Sequence, residues 1–195
     1  MKLLAAITGG FAGACALTLL HQAIKKADAD APHVDELGME ALSNGLEDLD
    51  IDAPKGSALY KWTLTGDIIA NTMYYSLGAV GNTKGAPTRT AVLGLLGGLG
   101  AVYLPEPMHL TKEFTNRTPR TKFLTVGLYT IGGIVAGSVM RLLSFNTDKA
   151  KKDLKKAAKN AKEGILEATE YTKDNVKSLA KDAKKKAKEL RKKVA

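Results

Sequence analysis

The feature that most constrains this chain is a set of four apolar segments of membrane-spanning length. They cover about residues 3–24, 62–80, 90–104 and 123–143. Crossing the hydrocarbon core of a bilayer takes about 20 apolar residues, so the third segment is near the lower limit. The sequence therefore predicts an all-α membrane protein in which residues 1–146 form a four-helix transmembrane bundle.

The first segment also has features of a signal peptide, because Lys2 precedes an apolar core that ends in the small residues "AGAC". A lipoprotein-type cleavage site usually has Leu where Ala12 stands, and polar residues after the cysteine. Here the apolar string "ALTLL" follows Cys15. We therefore expect an uncleaved helix. Cys15 is the single cysteine, so no intramolecular disulfide can form.

Three of the four segments contain pairs of glycines four residues apart. This spacing places both glycines on one helix face, where a neighbouring backbone can approach closely. The predicted helix-packing residues are Gly9, Gly13, Gly94, Gly98, Gly133 and Gly137. The alternative is that glycine is simply common in membrane helices.

The charge is concentrated at the C-terminus. Residues 147–195 hold 17 Lys and Arg against 8 Asp and Glu, whereas residues 1–146 hold 12 of each. Basic segments favour the cytoplasmic side, and four spans place both termini on the same side. The sequence thus predicts a multi-pass protein of the bacterial inner (cytoplasmic) membrane with both termini in the cytoplasm.

The first and third loops have complementary charges. Apolar residues recur at helical spacing through residues 33–50 of the acidic first loop, which indicates an amphipathic extramembrane helix. The third loop is mostly basic, and four spans would place both loops on the same side. We expect Arg117 and Arg120 to contact the acidic loop. The alternative is a solvated charged loop.

Asp67 lies within the second predicted span, where a carboxylate is costly and usually faces protein or water. Asn71, Tyr74, Tyr75 and Gly78 follow it on the same helix face. Other spans supply polar side chains, including Thr18 and Gln22. The predicted intramembrane cluster is Asp67, Asn71, His21, Tyr74, Tyr103 and Tyr129.

Two interpretations of this cluster stay open. An Asp67–His21 pair would suit a proton or ligand site. Alternatively, Asp67 accepts hydrogen bonds that hold the first two spans in register. The sequence indicates no metal site, no catalytic residues and no cofactor, because the three histidines are scattered and no nucleophile motif surrounds a serine or the cysteine.

The tail, residues 147–195, has an eleven-residue repeat that is visible in Ala150, Ala161, Thr172, Ala183 and Val194. Such a repeat keeps an apolar stripe nearly straight along one long amphipathic helix. We expect this helix to lie on anionic lipid or an acidic partner, or to project into solvent. Nucleic acid is not an expected partner, because the tail offers one aromatic residue, Tyr171, and one arginine, Arg191.

The Lys/Ala/Glu-rich tail resembles the repetitive helices of late-embryogenesis-abundant-like and YtxH-like bacterial proteins. The strings "HQAIKKADADAPHVDELGMEALSNGL" and "NRTPRTKFLTVGLY" are similar to a family of uncharacterised bacterial multi-span inner-membrane proteins. This second resemblance implies a bacterial inner membrane and assigns no catalytic residues.

These observations favour a small structural or accessory membrane protein, a scaffold or subunit of a larger membrane assembly. Its partners would be membrane lipid and either another membrane protein or further copies of itself. The main alternative is a small-solute or proton carrier or channel centred on Asp67. A membrane enzyme that acts on lipid is a third alternative.

Overall fold

The computed structural model describes residues 2–81, 83–144, 155–160 and 162–163. The chain divides into two compact units, Met1–Ala150 and Lys151–Ala195. In the second unit, the described residues 155–160 and 162–163 are helical. The rest of the predicted eleven-residue-repeat helix, and the boundary at residue 147, lie outside the described residues.

The first unit is helical, and its described residues include no strand. Four helices are long: α1 (Lys2–Lys25), α3 (Ser57–Ser76), α4 (Ala86–Tyr103) and α6 (Pro119–Leu143). Two are shorter: α2 (Val34–Glu47) and α5 (Glu113–Asn116). Two 3₁₀ turns, Leu77–Ala79 and Thr83–Gly85, lie between α3 and α4.

Local chemistry explains two of the helix starts. Thr118 has extended backbone geometry at the start of α6, and its side chain accepts a 3.0 Å hydrogen bond from the Thr121 N–H. Pro119 follows in the first turn, where a missing N–H costs nothing. Helix α4 likewise has Pro87 in its first turn, where proline is favoured. The helix therefore begins at Ala86, before the predicted residue 90.

Two helices, Leu3–Lys25 and Pro119–Leu143, are long and apolar enough to cross a membrane. The prediction of four such segments is thus met only in part. Helix α3 carries Lys61 and Asp67, and α4 carries Arg89 in its first turns. These charged residues lower the hydropathy of α3 and α4, and neither helix meets the criterion that α1 and α6 meet.

The long helices run up and down, each antiparallel to the next. At one end, Ser76 near the end of α3 donates a 3.0 Å hydrogen bond to the Ala6 carbonyl near the start of α1. At the other end, the His33 N–H before α2 donates a 2.7 Å hydrogen bond to the Phe114 carbonyl before α6. Helix α6 packs between α1 and α4, and α3 packs on α1.

The predicted glycines all lie at helix contacts. A Cβ added at Gly13 would meet the Ala136 Cβ on α6 at 2.6 Å, and one at Gly98 would meet the Val126 Cα on α6 at 2.6 Å. Gly9 also faces α6, Gly94 faces Tyr129 and Thr130, and Gly133 and Gly137 face the first turns of α4. Sequence reasoning missed Gly10, where a Cβ would overlap the Thr72 carbonyl of α3.

The interior of the bundle includes several buried polar side chains, and its outer surface carries many large apolar ones. Four threonines, Thr90, Thr115, Thr121 and Thr125, are almost fully buried among alanines and glycines. Exposed apolar side chains occur on all four long helices: Leu3, Leu4, Ile7, Phe11, Leu19, Trp62, Ile69, Met73, Val92, Leu95, Leu96, Leu99, Phe123, Ile131 and Ile134. Exposure of this many large apolar side chains is unusual for a water-soluble domain.

Candidate functional site

A cavity of about 40 Å³ lies where α1, α2, α3 and α6 meet. On the scale where one water needs roughly 10–15 Å³, this volume holds a few water molecules. Its polar lining consists of Thr18, His21 and Gln22 from α1, Asp35 from α2, Tyr60, Thr63 and Asp67 from α3, and Tyr129 from α6. We call it the Asp67 cavity.

Asp67 is held by its own helix. Its Oδ1 accepts a 2.8 Å hydrogen bond from Asn71 Nδ2, which also donates to the Asp67 carbonyl at 3.0 Å. Asn71 is buried one turn further along α3. Among the described residues, the Asp67 carboxylate has no other hydrogen bond and no ion pair. Asn71 therefore orients one carboxylate oxygen and leaves the other without a hydrogen-bond donor.

His21 lines the same cavity but is not hydrogen-bonded to Asp67. Its Nε2 lies 2.9 Å from the Pro32 carbonyl oxygen, which can only accept, so Nε2 carries a proton. The ring thus ties the end of α1 to the segment that leads into α2. The structure brings the predicted Asp67 and His21 together around one space without pairing them directly.

Two hydroxyl groups in the cavity lining have no partner. Thr18 Oγ1 and Thr63 Oγ1 are both buried and make no hydrogen bond among the described residues. Thr63 is 8% exposed. A buried polar atom without a partner is costly, so such groups usually mark bound water or ligand. Thr63 precedes Asp67 by four residues, so helical spacing extended toward the N-terminus would have identified it.

The predicted tyrosines have different environments. Tyr129 lines the cavity, and its backbone carbonyl accepts a 2.7 Å hydrogen bond from the fully buried Tyr75. Tyr74 donates a 2.9 Å hydrogen bond to the Leu93 carbonyl and so joins α3 to α4. Tyr103 is 61% exposed at the end of α4 and does not line the cavity. Its position on the outer face of α4 separates it from the predicted cluster.

An ion-pair group adjoins the cavity through Asp35. Lys25 Nζ, at the end of α1, lies 2.8 Å from an Asp35 oxygen and 2.9 Å from a Glu36 oxygen. His33 Nδ1 lies 2.6 Å from the same Glu36 oxygen. Burial opposes ionisation of Asp35, but hydrogen bonding and the charge of Lys25 prevail and lower its pKa. For Glu36, burial is likewise outweighed by hydrogen bonds from His33 and Lys25, so its pKa is also lowered.

The acidic first loop and the basic third loop are in contact. Arg120 lies 2.6 Å from an Asp28 oxygen, and Arg117 donates to the Ala29 carbonyl. The Thr111 N–H and hydroxyl donate to the two Glu40 oxygens at 2.8 and 2.9 Å. These bonds, with the buried Leu37 of α2, dock the amphipathic helix on the bundle instead of leaving a solvated loop.

Within the described part of the chain, no group of three or more His, Cys, Asp or Glu side chains is placed to hold a metal ion. Comparison with models of protein families, with curated proteins and with solved structures finds no match to this chain.

Proposed function

We propose that this protein is a four-span protein of the bacterial inner membrane that serves as a structural or accessory subunit of a larger membrane assembly. The observation that carries the proposal is the extensive apolar surface of the bundle. Large apolar side chains are exposed on α3 and α4 as well as on α1 and α6. In water such a surface would drive aggregation, whereas in a bilayer it faces lipid or a partner.

Helix length is compatible with this arrangement. At 1.5 Å per residue, α3 with 20 residues is about 30 Å long and α4 with 18 residues is about 27 Å long. A hydrocarbon core is about 30 Å thick. The polar residues that lower the hydropathy of α3 include Thr63 and Asn71, which are buried inside the bundle. Four spans would place both termini on one side of the membrane, and the basic tail favours the cytoplasm for that side, with α2 on the outer side.

Tight packing favours a structural role over the passage of organic solutes. Glycines bring α6 into backbone contact with α1 and α4, and the Asp67 cavity measures only about 40 Å³. Because the interior is closely packed, a partner would bind mainly to the outer apolar faces of the helices or to the basic tail. The expected partners are membrane lipid and another membrane protein or a second copy of this chain.

The test is the composition of the particle extracted from native membranes in mild detergent. We expect a mass well above that of the 20.7 kDa chain, with a second membrane protein or further copies in a constant ratio that survives a salt wash. A chain truncated after residue 146 tests whether the tail contributes. A monodisperse single copy from native membranes would contradict the assembly role.

A second candidate is a carrier for protons or a small ion. The observation that favours it is the convergence of Asp67 and His21 on one polar cavity within the proposed membrane domain. The flux of protons or small cations into proteoliposomes tests this candidate. Asp67→Asn should be inactive, whereas Asp48→Asn, a matched control at an exposed position just after α2, should remain active. Equal flux with empty liposomes would rule this candidate out.

A further inference from the structure

The lining of the Asp67 cavity contains unused oxygen atoms. Thr18 Oγ1 on α1 and Thr63 Oγ1 on α3 are buried without hydrogen-bond partners among the described residues. Asp67, one turn beyond Thr63, contributes a carboxylate oxygen that Asn71 does not bind. The three residues that carry these oxygen atoms come from two helices and line one small space.

The charges around this space do not balance. Asp35 also lines the cavity, but both of its oxygens accept hydrogen bonds from Lys25. Lys25 is shared further with Glu36, so it is already engaged by two carboxylates. His21 uses Nε2 to bind the Pro32 carbonyl. Within the described chain, Asp67 thus contributes a partly buried carboxylate that no ion pair neutralises. A carboxylate held away from water is stabilised by a bound cation or by a proton.

Size and donor type limit what that partner can be. About 40 Å³ admits a small ion with a water molecule and excludes organic solutes. Carboxylate and hydroxyl oxygens are hard ligands. A single unpaired carboxylate matches one positive charge, whereas divalent ions are usually held by several carboxylates. We propose that the Asp67 cavity binds one small monovalent cation of the sodium class through Asp67, Thr18 and Thr63.

Neighbouring residues would position this site. Asn71 fixes the orientation of the Asp67 carboxylate. Helix α2, which lies in the loop between α1 and α3, covers one side of the cavity. A Cβ added at Gly38 of α2 would meet the Thr63 Cγ2 at 2.8 Å, so α2 lies directly on this threonine. The site goes beyond the assembly role and does not require transport. Binding without flux would keep the cation site and reject the carrier.

Thermal unfolding of the full chain in detergent tests the proposal, with sodium chloride compared with choline chloride at equal ionic strength. A ligand that binds only the folded state raises the unfolding free energy by RT ln(1 + L/Kd), where L is the free ligand concentration. We expect the Tm to rise by a few degrees, on the order of 3 °C, at ten times the dissociation constant, and to continue to rise with the logarithm of the sodium concentration. Asp67→Asn should abolish this sodium-dependent rise, whereas Asp48→Asn, an exposed charge change, should retain it.

Thr63→Val provides a second variant in case Asp67→Asn does not fold. It removes the unpartnered hydroxyl at nearly constant volume, so it should weaken sodium binding by about tenfold, or 1.4 kcal/mol. If only water fills the cavity, Thr63→Val would instead change the Tm by the same amount in both salts, and this would overturn the proposal. No difference between sodium and choline for the unmodified chain would overturn the proposal, and so would a larger effect of calcium than of sodium.

Discussion

At the scale of single residues, the contacts around Lys25 connect the end of α1 to the start of α2. Lys25 binds Asp35 and Glu36, and its side chain and that of Asp35 are 24% and 18% exposed. Partial burial weakens solvent screening, so this group contributes more than a fully exposed ion pair would. It also neutralises Asp35 beside the cavity and leaves Asp67 as the unpaired acid.

The lowered pKa values of Asp35 and Glu36 predict a loss of stability in acid. Their ordinary values are 3.8 and 4.5, and both are lower in the folded protein. The contribution is therefore fully present above these values and is lost as the pH falls through the lower folded pKa values. Between about pH 6 and pH 3, the unfolding free energy should fall by about 1 kcal/mol more in the unmodified chain than in Asp35→Asn.

Chemical or thermal unfolding in detergent measures this difference. Asp48→Asn is the matched control, because Asp48 is exposed and has no ion pair among the described residues. Its pH dependence should follow that of the unmodified chain. Parallel curves for Asp35→Asn and the unmodified chain would show that the Lys25 contacts do not contribute to folding.

The partners of individual side chains were the least predictable part of the site. Helical spacing placed Asp67 and Asn71 on one face, and they do form a hydrogen bond. His21 instead binds the Pro32 carbonyl, because the loop after α1 folds back over the helix end. No local sequence pattern encodes that path. The rotation of α4, which leaves Tyr103 exposed, is likewise set by packing against α6.

At the scale of helices, the contact between α4 and α6 depends on glycine. A Cβ at Gly133 would overlap the Thr90 carbonyl of α4, whereas Gly127 on the same helix α6 has open space. We expect Gly133→Ala to destabilise the bundle by about 1–3 kcal/mol, as overpacking of a close contact does. Gly127→Ala should be neutral or slightly stabilising, because alanine favours helix. Equal effects in thermal unfolding would show that α4 and α6 do not need this close approach.

Docking of α2 should depend more on its apolar face than on its ion pairs. Leu37 is the buried residue of α2, whereas Arg120, which pairs with Asp28, has a side chain that is 66% exposed. Truncation of a buried leucine costs about 2–5 kcal/mol, and an exposed ion pair contributes about 0–1 kcal/mol. Leu37→Ala should therefore increase protease cleavage in the segment 26–56 more than Arg120→Ala does. The reverse order would indicate that charge holds α2 in place.

The positions of the long helices were predictable, since apolar segments of this length have few other ways to be buried. Helix α3 was harder to delimit. It begins at Ser57, five residues before the predicted start, because the polar turn that contains Lys61 continues the helix beyond the apolar segment. Hydropathy also takes no account of burial, so the buried Asn71 lowers the value of α3 as much as an exposed asparagine would.

At the scale of the whole first unit, the directions of the helices and the apolar surface are both compatible with the proposed four-span arrangement. The residues near Ser76 and Ala6 form one end of the bundle, and those near His33 and Phe114 form the other. A membrane around this bundle would separate the α2 region from the α3–α4 turn. If only α1 and α6 crossed, everything between them would lie on one side of the membrane.

The central claim is that α3 and α4 cross the membrane as α1 and α6 do, and cysteine labelling in intact cells tests it most directly. In a Cys15→Ala background, single cysteines replace Asp48, after α2, and Lys84, between α3 and α4; both positions are exposed. With four spans and cytoplasmic termini, a membrane-impermeant maleimide should label Asp48→Cys in intact cells and Lys84→Cys only after permeabilisation. Labelling of both positions in intact cells, or protection of both, would place them on the same side and contradict the four-span account.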